Sequence, residues 1–298
     1  MTSVMDGPSD DPLQSFHAHR PLLFSIAYRM LGSVADAEDV VQEAYLRWQP
    51  VDALEVRSPK DFLSATVTRL AMDHLRSARV RREVYVGPWL PDPLLGVSKD
   101  DPVAAVDLAE SLSTAFLVLL ERLTPTQRAA FLLREVFGYD YPEIARILET
   151  TEANCRQLVQ RAKQRIATGR PRFAPDPGAA DDLAHRFLTA CTTGDVDGLL
   201  ALLAEDAVAW ADGGGKFAAA RRPVVGAVRV ARFLAGVVRK WGSWGELRVA
   251  SVNGGLGLVV YVGGRPRGVV TVAVAAGRVQ DLFVMVNPDK LGATGVQR

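Results

Sequence analysis

The chain has little cysteine and no long apolar run, and each absence excludes a class of protein. Its two cysteines, Cys155 and Cys191, have neither Cys-x-x-Cys nor metal-ligand spacing within 298 residues. This excludes a disulfide framework and favours a reducing compartment. No charged leader followed by an apolar stretch opens the chain, and no apolar run approaches bilayer length. We therefore expect a soluble, cytoplasmic protein that does not engage a membrane.

The chain also has almost no net charge, but its charges are segregated. The formal net charge is +1, whereas acids cluster at Asp36, Glu38, Asp39 and Glu43 and bases cluster at 76–82 and 156–172. Local fields, rather than the total, attract a polyanion, so a nucleic-acid partner is not excluded. A hydrophobic fraction of 48% suffices for two or three cores at this length, which excludes wholesale disorder.

Two proline-rich breaks divide the chain. Apolar residues at helical spacing run from 13 to 82 and again from 103 to 166. Between them lies a stretch from Val86 to Pro102 whose prolines cannot continue a helix, and a second such stretch spans 169–178. Both stretches are predicted to be linkers.

The C-terminal third has a different pattern. We predict helices at Asp182–Thr192, Val196–Glu205 and Val228–Lys240, with a short strand at Val208–Ala211. Four Val-rich runs follow, separated by glycine-containing turns: Glu246–Val252, Leu256–Val262, Gly268–Ala275 and Arg278–Val286. Such runs predict an antiparallel meander and hence an α+β domain.

Two features of the first helical region suggest macromolecular contacts. One face of the helix after Ser33 carries Asp39, Gln42 and Glu43, opposite an apolar face, and by itself this is typical of a solvated surface. A later helix carries Arg69, Asp73, Arg76 and Arg79 at helical spacing. These positions can lay a basic strip along a phosphate backbone.

A helix-turn-helix is predicted at 141–166. Pro142 stands in the first turn of one helix, and Thr151 can cap the next helix. An apolar stripe that includes Cys155 makes this cysteine a buried small residue rather than a redox sensor. We assign base reading to Ala153, Asn154, Arg156, Gln157 and Gln160, and phosphate contacts to Arg161, Lys163 and Arg165.

The order of these motifs resembles the extracytoplasmic-function (ECF) sigma factors of the sigma-70 family. Residues 29–33, 36–47 and 73–76 match the sigma-2 pattern, and 123–165 looks like sigma-4. The resemblance implies that Asp36, Asp39, Gln42 and Glu43 bind core RNA polymerase, a partner that contributes its β and β′ subunits. It also implies that the basic strip and the Asp52–Asp61 loop engage the −10 promoter element, the loop by capturing an unstacked base. The helix-turn-helix would then read the −35 element.

The tail resembles a SnoaL-like cone found in one subgroup of that family. Three motifs carry this resemblance: Trp89-Leu90-Pro91-Asp92-Pro93, Asp212-Gly213-Gly214-Gly215-Lys216, and Asn287-Pro288-Asp289-Lys290-Leu291. The resemblance implies that the tail regulates the sigma factor in cis. We predict that Asp212–Lys216 touches the Trp89–Pro93 linker motif or the helices beside it, with Lys216 or free glycine amides receiving Asp92.

The predicted fold is multi-domain: two all-α sigma domains and a C-terminal α+β SnoaL-like cone. The predicted bounds are 12–84 for sigma-2, 85–105 for the linker, 106–168 for sigma-4, 169–180 for a second linker and 181–298 for the cone. A DNA-anchored SnoaL-type enzyme, with Asp212, Asp281 or His185 as its catalytic candidates, remains an alternative, as does a one-component regulator sensing a small unidentified ligand in the cone. We expect no enzyme activity and no cofactor, and His17-x-His19 is no metal site because the two side chains diverge on a helix.

Overall fold

The computed structural model describes residues 12–51, 56–83, 85–96, 109–167, 177–243 and 245–292. Its α-helices are α1 (Pro12–Leu31), α2 (Val34–Trp48), α3 (Pro59–Glu83), α4 (Thr114–Leu120), α5 (Pro125–Phe131), α6 (Tyr141–Leu148), α7 (Glu152–Ala167), α8 (Pro177–Thr193), α9 (Val196–Leu202), α10 (Ala227–Gly242) and α11 (Pro288–Gly292). Its strands are β1 (Leu203–Asp212), β2 (Val224–Val225), β3 (Glu246–Val252), β4 (Gly255–Val262), β5 (Arg265–Ala275) and β6 (Arg278–Met285). A 3-10 turn at Ala109–Leu112 precedes α4, and a π-helical turn at Leu132–Val136 extends α5.

The chain forms two compact units, and their division differs from the predicted domain bounds. One unit comprises Met1–Ala78 and Thr124–Ala162, and the other comprises Arg79–Leu123 and Lys163–Arg298. The region predicted as one helix-turn-helix domain, 106–168, therefore gives α4 to the unit that holds the sheet. The reason is packing: Ala115 of α4 is buried against the sheet residues Val269 and Phe283.

The helical unit is built on amphipathic helices with defined ends. Ser33 caps α2 by accepting a hydrogen bond from the Asp36 amide at 3.3 Å. The predicted apolar face of α2 is buried at Ala37, Val40, Val41, Ala44 and Trp48. Arg128 of α5, 3% exposed, donates to the carbonyl of Met30 at 2.6 Å, so a buried charge-assisted hydrogen bond ties α5 to the end of α1.

The second unit contains a six-stranded sheet in the order β2-β1-β6-β5-β4-β3. The predicted meander is present as β3 to β6, and β1 pairs in parallel with β6. The predicted helix Val196–Glu205 is too long, since the helix ends at Leu202 and β1 begins at Leu203. Pairing of Leu203 with Val279, far along the chain, determines this boundary, and a local pattern cannot show it.

Both faces of this sheet are covered, which explains its Val-rich strands. On one face Leu258 and Val260 pack with α8 and α10, for example against Phe187 and Leu234. On the other face Val259 belongs to a cluster that contains Leu90 of the linker. Within the described ranges, no helix is both long and apolar enough to cross a membrane.

Candidate functional site

Helices α6 and α7 form the predicted helix-turn-helix. Asp140 and Glu143 make a capping box at the start of α6, with hydrogen bonds of 2.7 and 2.8 Å. The helix ends at Glu149, whose φ of 52° places it in the left-handed region and turns the chain sharply. Thr151 then accepts a hydrogen bond from the Asn154 amide at 3.2 Å and caps α7, as predicted.

Helix α7 buries one stripe and exposes the opposite face. Cys155 and Val159 lie in the core with Ile144 and Ile147 of α6, and burial raises the pKa of the Cys155 thiol. The side chains assigned to DNA are all exposed: Ala153, Asn154, Arg156, Gln157, Gln160, Arg161, Lys163 and Arg165. Arg156 is oriented by Glu152 at 2.8 Å and by the Tyr141 ring, whose centroid is 5.0 Å away.

The acidic face of α2 is only partly free. Asp39, Gln42 and Glu43 are exposed beside Leu46, which is 53% exposed. Asp36 differs from them, because it is half-buried and its carboxylate lies 3.2 Å from Nε2 of His74 on α3. The structure thus offers three of the four predicted polymerase-binding side chains on one exposed face.

The predicted basic strip on α3 is engaged with protein groups. Arg69 donates to the carbonyls of Ile147 at 2.9 Å and Arg146 at 3.0 Å, and lies 3.2 Å from the Glu149 carboxylate. A guanidinium at this position satisfies carbonyls at the C-terminal end of α6. Asp73 and Arg76 pair with each other at 2.6 Å on the exposed surface. The Arg79 side chain lies outside the described residues.

A groove of about 550 Å³ adjoins the predicted base-capture loop. Residues 52–55 of that loop lie outside the described residues, while Arg57, Ser58 and Asp61 line the groove. Phe62 of α3 lines it from the same side, and Tyr139 and Arg146 line it from the helix-turn-helix side. An aromatic ring beside guanidinium groups is a combination that suits an unstacked base and its phosphate.

Asp212, at the end of β1, is the centre of a buried polar cluster in the second unit. Its side chain is fully buried and accepts hydrogen bonds from the Tyr85 hydroxyl at 2.5 Å and from the Leu90 amide at 2.9 Å. It also accepts from the Gly214 amide at 3.0 Å. Burial, and then the hydrogen bond to Asp212, raise the pKa of Tyr85 well above its ordinary value, so the phenol stays protonated as a donor.

Lys290 supplies the opposite charge to this cluster. Its ammonium lies 2.9 Å from the Asp212 carboxylate, and the two side chains are only 10% and 0% exposed. It also donates to the Leu90 carbonyl and lies 4.1 Å from the centre of the Trp89 ring. A buried ion pair is compensated only when further hydrogen bonds satisfy it, and here the linker provides them. We call Tyr85, Leu90, Asp212, Asn287 and Lys290 the linker clamp.

The glycine turn after Asp212 has the conformation that its composition predicts. Gly214 and Gly215 have φ of 59° and 72°, and a Cβ on Gly214 would overlap the Asn287 amide. That amide donates to the Tyr85 hydroxyl at 2.9 Å, which joins the third motif to the linker. The expectation that Lys216 receives Asp92 is not met, because Lys216 pairs with Asp289 at 2.6 Å. The Gly214 amide likewise binds Asp212.

Asn253 fixes the next part of the linker. Its side chain accepts from the Leu94 amide at 2.6 Å and donates to the Leu112 carbonyl at 3.0 Å, while its own amide donates to the Leu94 carbonyl at 2.8 Å. The segment therefore lies on the turn between β3 and β4, with Leu95 bridging Val252 in antiparallel fashion.

Three residues of this site were missed as functional candidates by sequence reasoning. Lys290 belongs to the 287–291 motif but was given no role. Asn253 precedes a glycine in a segment that was interpreted only as a hairpin turn. Tyr85 is the first residue of the predicted linker, and its phenol, which can donate and accept a hydrogen bond, was the available signal. These hydrogen bonds of the three residues join positions at least 78 residues apart in the chain.

The three catalytic candidates do not form one site. Asp212 is enclosed by the linker clamp, whereas His185 is exposed on α8. Asp281 is half-buried and lies 3.4 Å from the Trp210 indole nitrogen, and burial raises the pKa of its carboxyl. Within the described residues, no hydrogen bond or ion pair links any two of these three side chains.

Comparisons with known proteins agree with this geometry. Residues 16–81 match the family "Sigma-70 region 2", and residues 113–166 match "Sigma-70, region 4". The sequence is 40% identical over 291 residues to the ECF RNA polymerase sigma factor SigJ of Mycobacterium tuberculosis, covering 93% of this chain and 92% of that protein. It is 33% identical to the probable ECF RNA polymerase sigma factor SigI of the same species, covering 94% and 95%.

A solved structure has a similar fold over 96% of this chain. The crystal structure of Mycobacterium tuberculosis SigJ superposes with a TM-score of 0.77 and 36% identity, covering 96% of this chain and 100% of that one. The α+β prediction for the tail is confirmed together with the two helical regions.

Proposed function

Because this chain belongs to the ECF sigma factors of the sigma-70 family, we propose that its SnoaL-like domain regulates promoter recognition in cis. As a sigma factor, the chain binds core RNA polymerase and promoter DNA and directs transcription initiation. The proposal assigns α7 to the −35 element and α3 with its preceding loop to the −10 element. It assigns the exposed acids of α2 to polymerase.

The linker clamp is the observation that carries the regulatory proposal. Asp212 and Lys290 of the C-terminal domain are both buried, and Tyr85 and Leu90 of the linker form hydrogen bonds with them. If the linker left, a buried ion pair would lose the groups that satisfy it. The docked linker and the C-terminal domain therefore stabilise each other.

A docked linker can bias which arrangements of the promoter-binding regions are populated. The segment 85–96 follows α3 and leads towards α4, so its path constrains the connection between them. A regulator shifts such an equilibrium only by its difference in contact free energy between the two arrangements. The clamp supplies that difference, because its hydrogen bonds require the linker in one particular path.

In the helical unit, two proposed partners compete for the Arg69 guanidinium. Its guanidinium bonds to the end of α6 here, yet it belongs to the strip proposed to contact −10 phosphates. One guanidinium cannot satisfy both partners at full strength. We infer that −10 binding requires this contact with α6 to be released.

Run-off transcription with core polymerase tests the proposal. Promoters are first recovered by binding selection with the holoenzyme, and the full chain is compared with a chain ending at Arg172 and with Trp89→Ala. We expect transcription from a two-part promoter, and a changed yield for both variants in the same direction. Absence of transcription from every selected promoter rejects the sigma-factor assignments. Transcription that is identical for all three chains rejects the proposed regulation by the tail but leaves the sigma-factor assignments intact.

Substitutions on α7 are expected to separate base reading from phosphate binding. Arg156→Ala or Gln157→Ala should cost about 1–3 kcal/mol at particular −35 positions, because each removes a side chain able to bond a base edge. Lys163→Ala should weaken binding to all sequences alike, since phosphates carry no sequence information. Binding selection on a randomised −35 library measures this, and equal losses at every position for all three variants contradict it.

We propose no catalytic role for the C-terminal domain. Its strongest candidate, Asp212, accepts three hydrogen bonds and an ion pair from protein groups, which leaves little capacity for a substrate. A fold shared with enzymes is not by itself an argument for catalysis.

A further inference from the structure

Helix α10 of the C-terminal domain carries a basic surface that the assignments above leave unexplained. The sequence from Gly213 to Gly245 contains seven Lys or Arg residues and no acid, although the whole chain has 35 bases and 34 acids. Four of these seven lie on α10: Arg229, Arg232, Arg239 and Lys240. All four are exposed, and the helix has no acid in its first turn. We call them the α10 strip.

The strip is continuous on one side of the helix. At 3.6 residues per turn, its four members and Gly236 fall within a sector of about 100°, opposite the buried Val230, Leu234, Val238 and Trp241. The sector extends for about 16 Å at 1.5 Å per residue. Duplex DNA carries one charge per about 1.7 Å of axis, so a strip of this length faces several phosphates.

The guanidinium groups of the strip are not neutralised by acidic side chains in the part of the chain that the structure describes. Among the described residues, Arg229, Arg232 and Arg239 take part in no ion pair, and Arg221 and Arg222 just before α10 are likewise exposed without one. By contrast, Lys216 is paired with Asp289 and Arg248 with Glu246. Unpaired guanidinium groups along one helix face form a positive potential that attracts a polyanion.

Gly236 lies in the middle of the strip with open space above it. Nothing approaches within 4 Å of the position that a Cβ would occupy there. A glycine lets a partner approach the helix backbone closely. It also gives a single position at which charge can be added without removing any protein contact.

We propose that the α10 strip is a second DNA-binding surface, which holds the phosphate backbone of duplex DNA without reading its sequence. It is distinct from α7, whose side chains are assigned to the base edges and phosphates of the −35 element. Guanidinium groups suit phosphates because they donate in a fixed fork. The occupant is duplex DNA because the same chain acts on DNA as a sigma factor.

Fluorescence anisotropy of the full chain with a labelled duplex of unrelated sequence, at rising salt, tests this proposal. The triple variant Arg229→Gln, Arg232→Gln, Arg239→Gln should lower the slope of log K against log salt by about 2–3, since each phosphate contact contributes about 0.9. Gly236→Glu should weaken binding, whereas Gly236→Gln, of equal size and without charge, should not. Both changes at Gly236 favour the helix, so neither is expected to unfold it.

A matched triple in the same domain controls for net charge. Arg186→Gln, Arg265→Gln, Arg267→Gln removes three exposed charges away from α10, and the slope should stay close to that of the full chain. The strip effect should persist in a chain that also carries Arg156→Ala and Arg161→Ala on α7. If the α7 changes abolish binding while the strip changes do nothing, the strip proposal falls and the −35 assignment stands. Equal slopes for both triples also overturn it.

Discussion

Replacing Asp212 with asparagine is expected to destabilise the unit that contains the sheet by about 3–5 kcal/mol, because it leaves the buried Lys290 ammonium without its counter-ion. The amide keeps the size of the carboxylate, so the loss reports charge rather than volume. Thermal unfolding measures the cost, and hydrogen exchange at the Leu90 and Leu94 amides reports release of the linker. Transcription should change in the same direction as for the chain ending at Arg172.

The structure offers a matched control and a partial rescue for this experiment. Asp289→Asn removes one carboxylate charge from the exposed pair with Lys216, whose side chains are 58% and 61% exposed, and should cost less than about 1 kcal/mol. Lys290→Met combined with Asp212→Asn should recover part of the loss, because no unpaired charge then remains buried. Equal costs for Asp212→Asn and Asp289→Asn, or unchanged exchange at Leu90, contradict the clamp.

Reversing charge on the exposed face of α2 is expected to prevent assembly with core polymerase. Asp39→Arg with Glu43→Arg should weaken binding by more than about 100-fold, since like charges placed against each other cost several kcal/mol and each 1.4 kcal/mol is tenfold. Both positions are exposed, so the fold should survive, and the substitutions remove the surface ion pair between Glu43 and Arg47. Titration of core polymerase with the labelled chain measures the affinity.

A double charge reversal elsewhere in the chain is the control for this experiment. Asp182→Arg with Glu205→Arg changes the net charge equally at exposed positions of the C-terminal domain, and should leave polymerase affinity close to that of the unaltered chain. Circular dichroism verifies that both pairs remain folded. If the two pairs lose affinity equally, the acidic face of α2 is not the polymerase contact.

Local sequence determined the helix ends and the turns, because these depend on residues within a few positions. Thr151 caps α7 through the amide of Asn154, three residues away, and Asp140 caps α6 in the same manner. Asn253 and Gly254 form the turn between β3 and β4 with φ of 51° and 73°. The exposed and buried faces of α2 and α7 also follow from the 3.6-residue period alone.

Only the tertiary structure decided where those elements find partners, because the contacts join residues far apart in the chain. The end of α9 at Leu202 depends on strand pairing with Val279, and α4 joins the sheet because Ala115 is buried there. Arg69 has the sequence pattern of a phosphate contact but bonds to carbonyls 77 and 78 residues away. Lysine is ordinarily an exposed residue. Lys290 is buried because Asp212, 78 residues away in the chain, lies 2.9 Å from its ammonium.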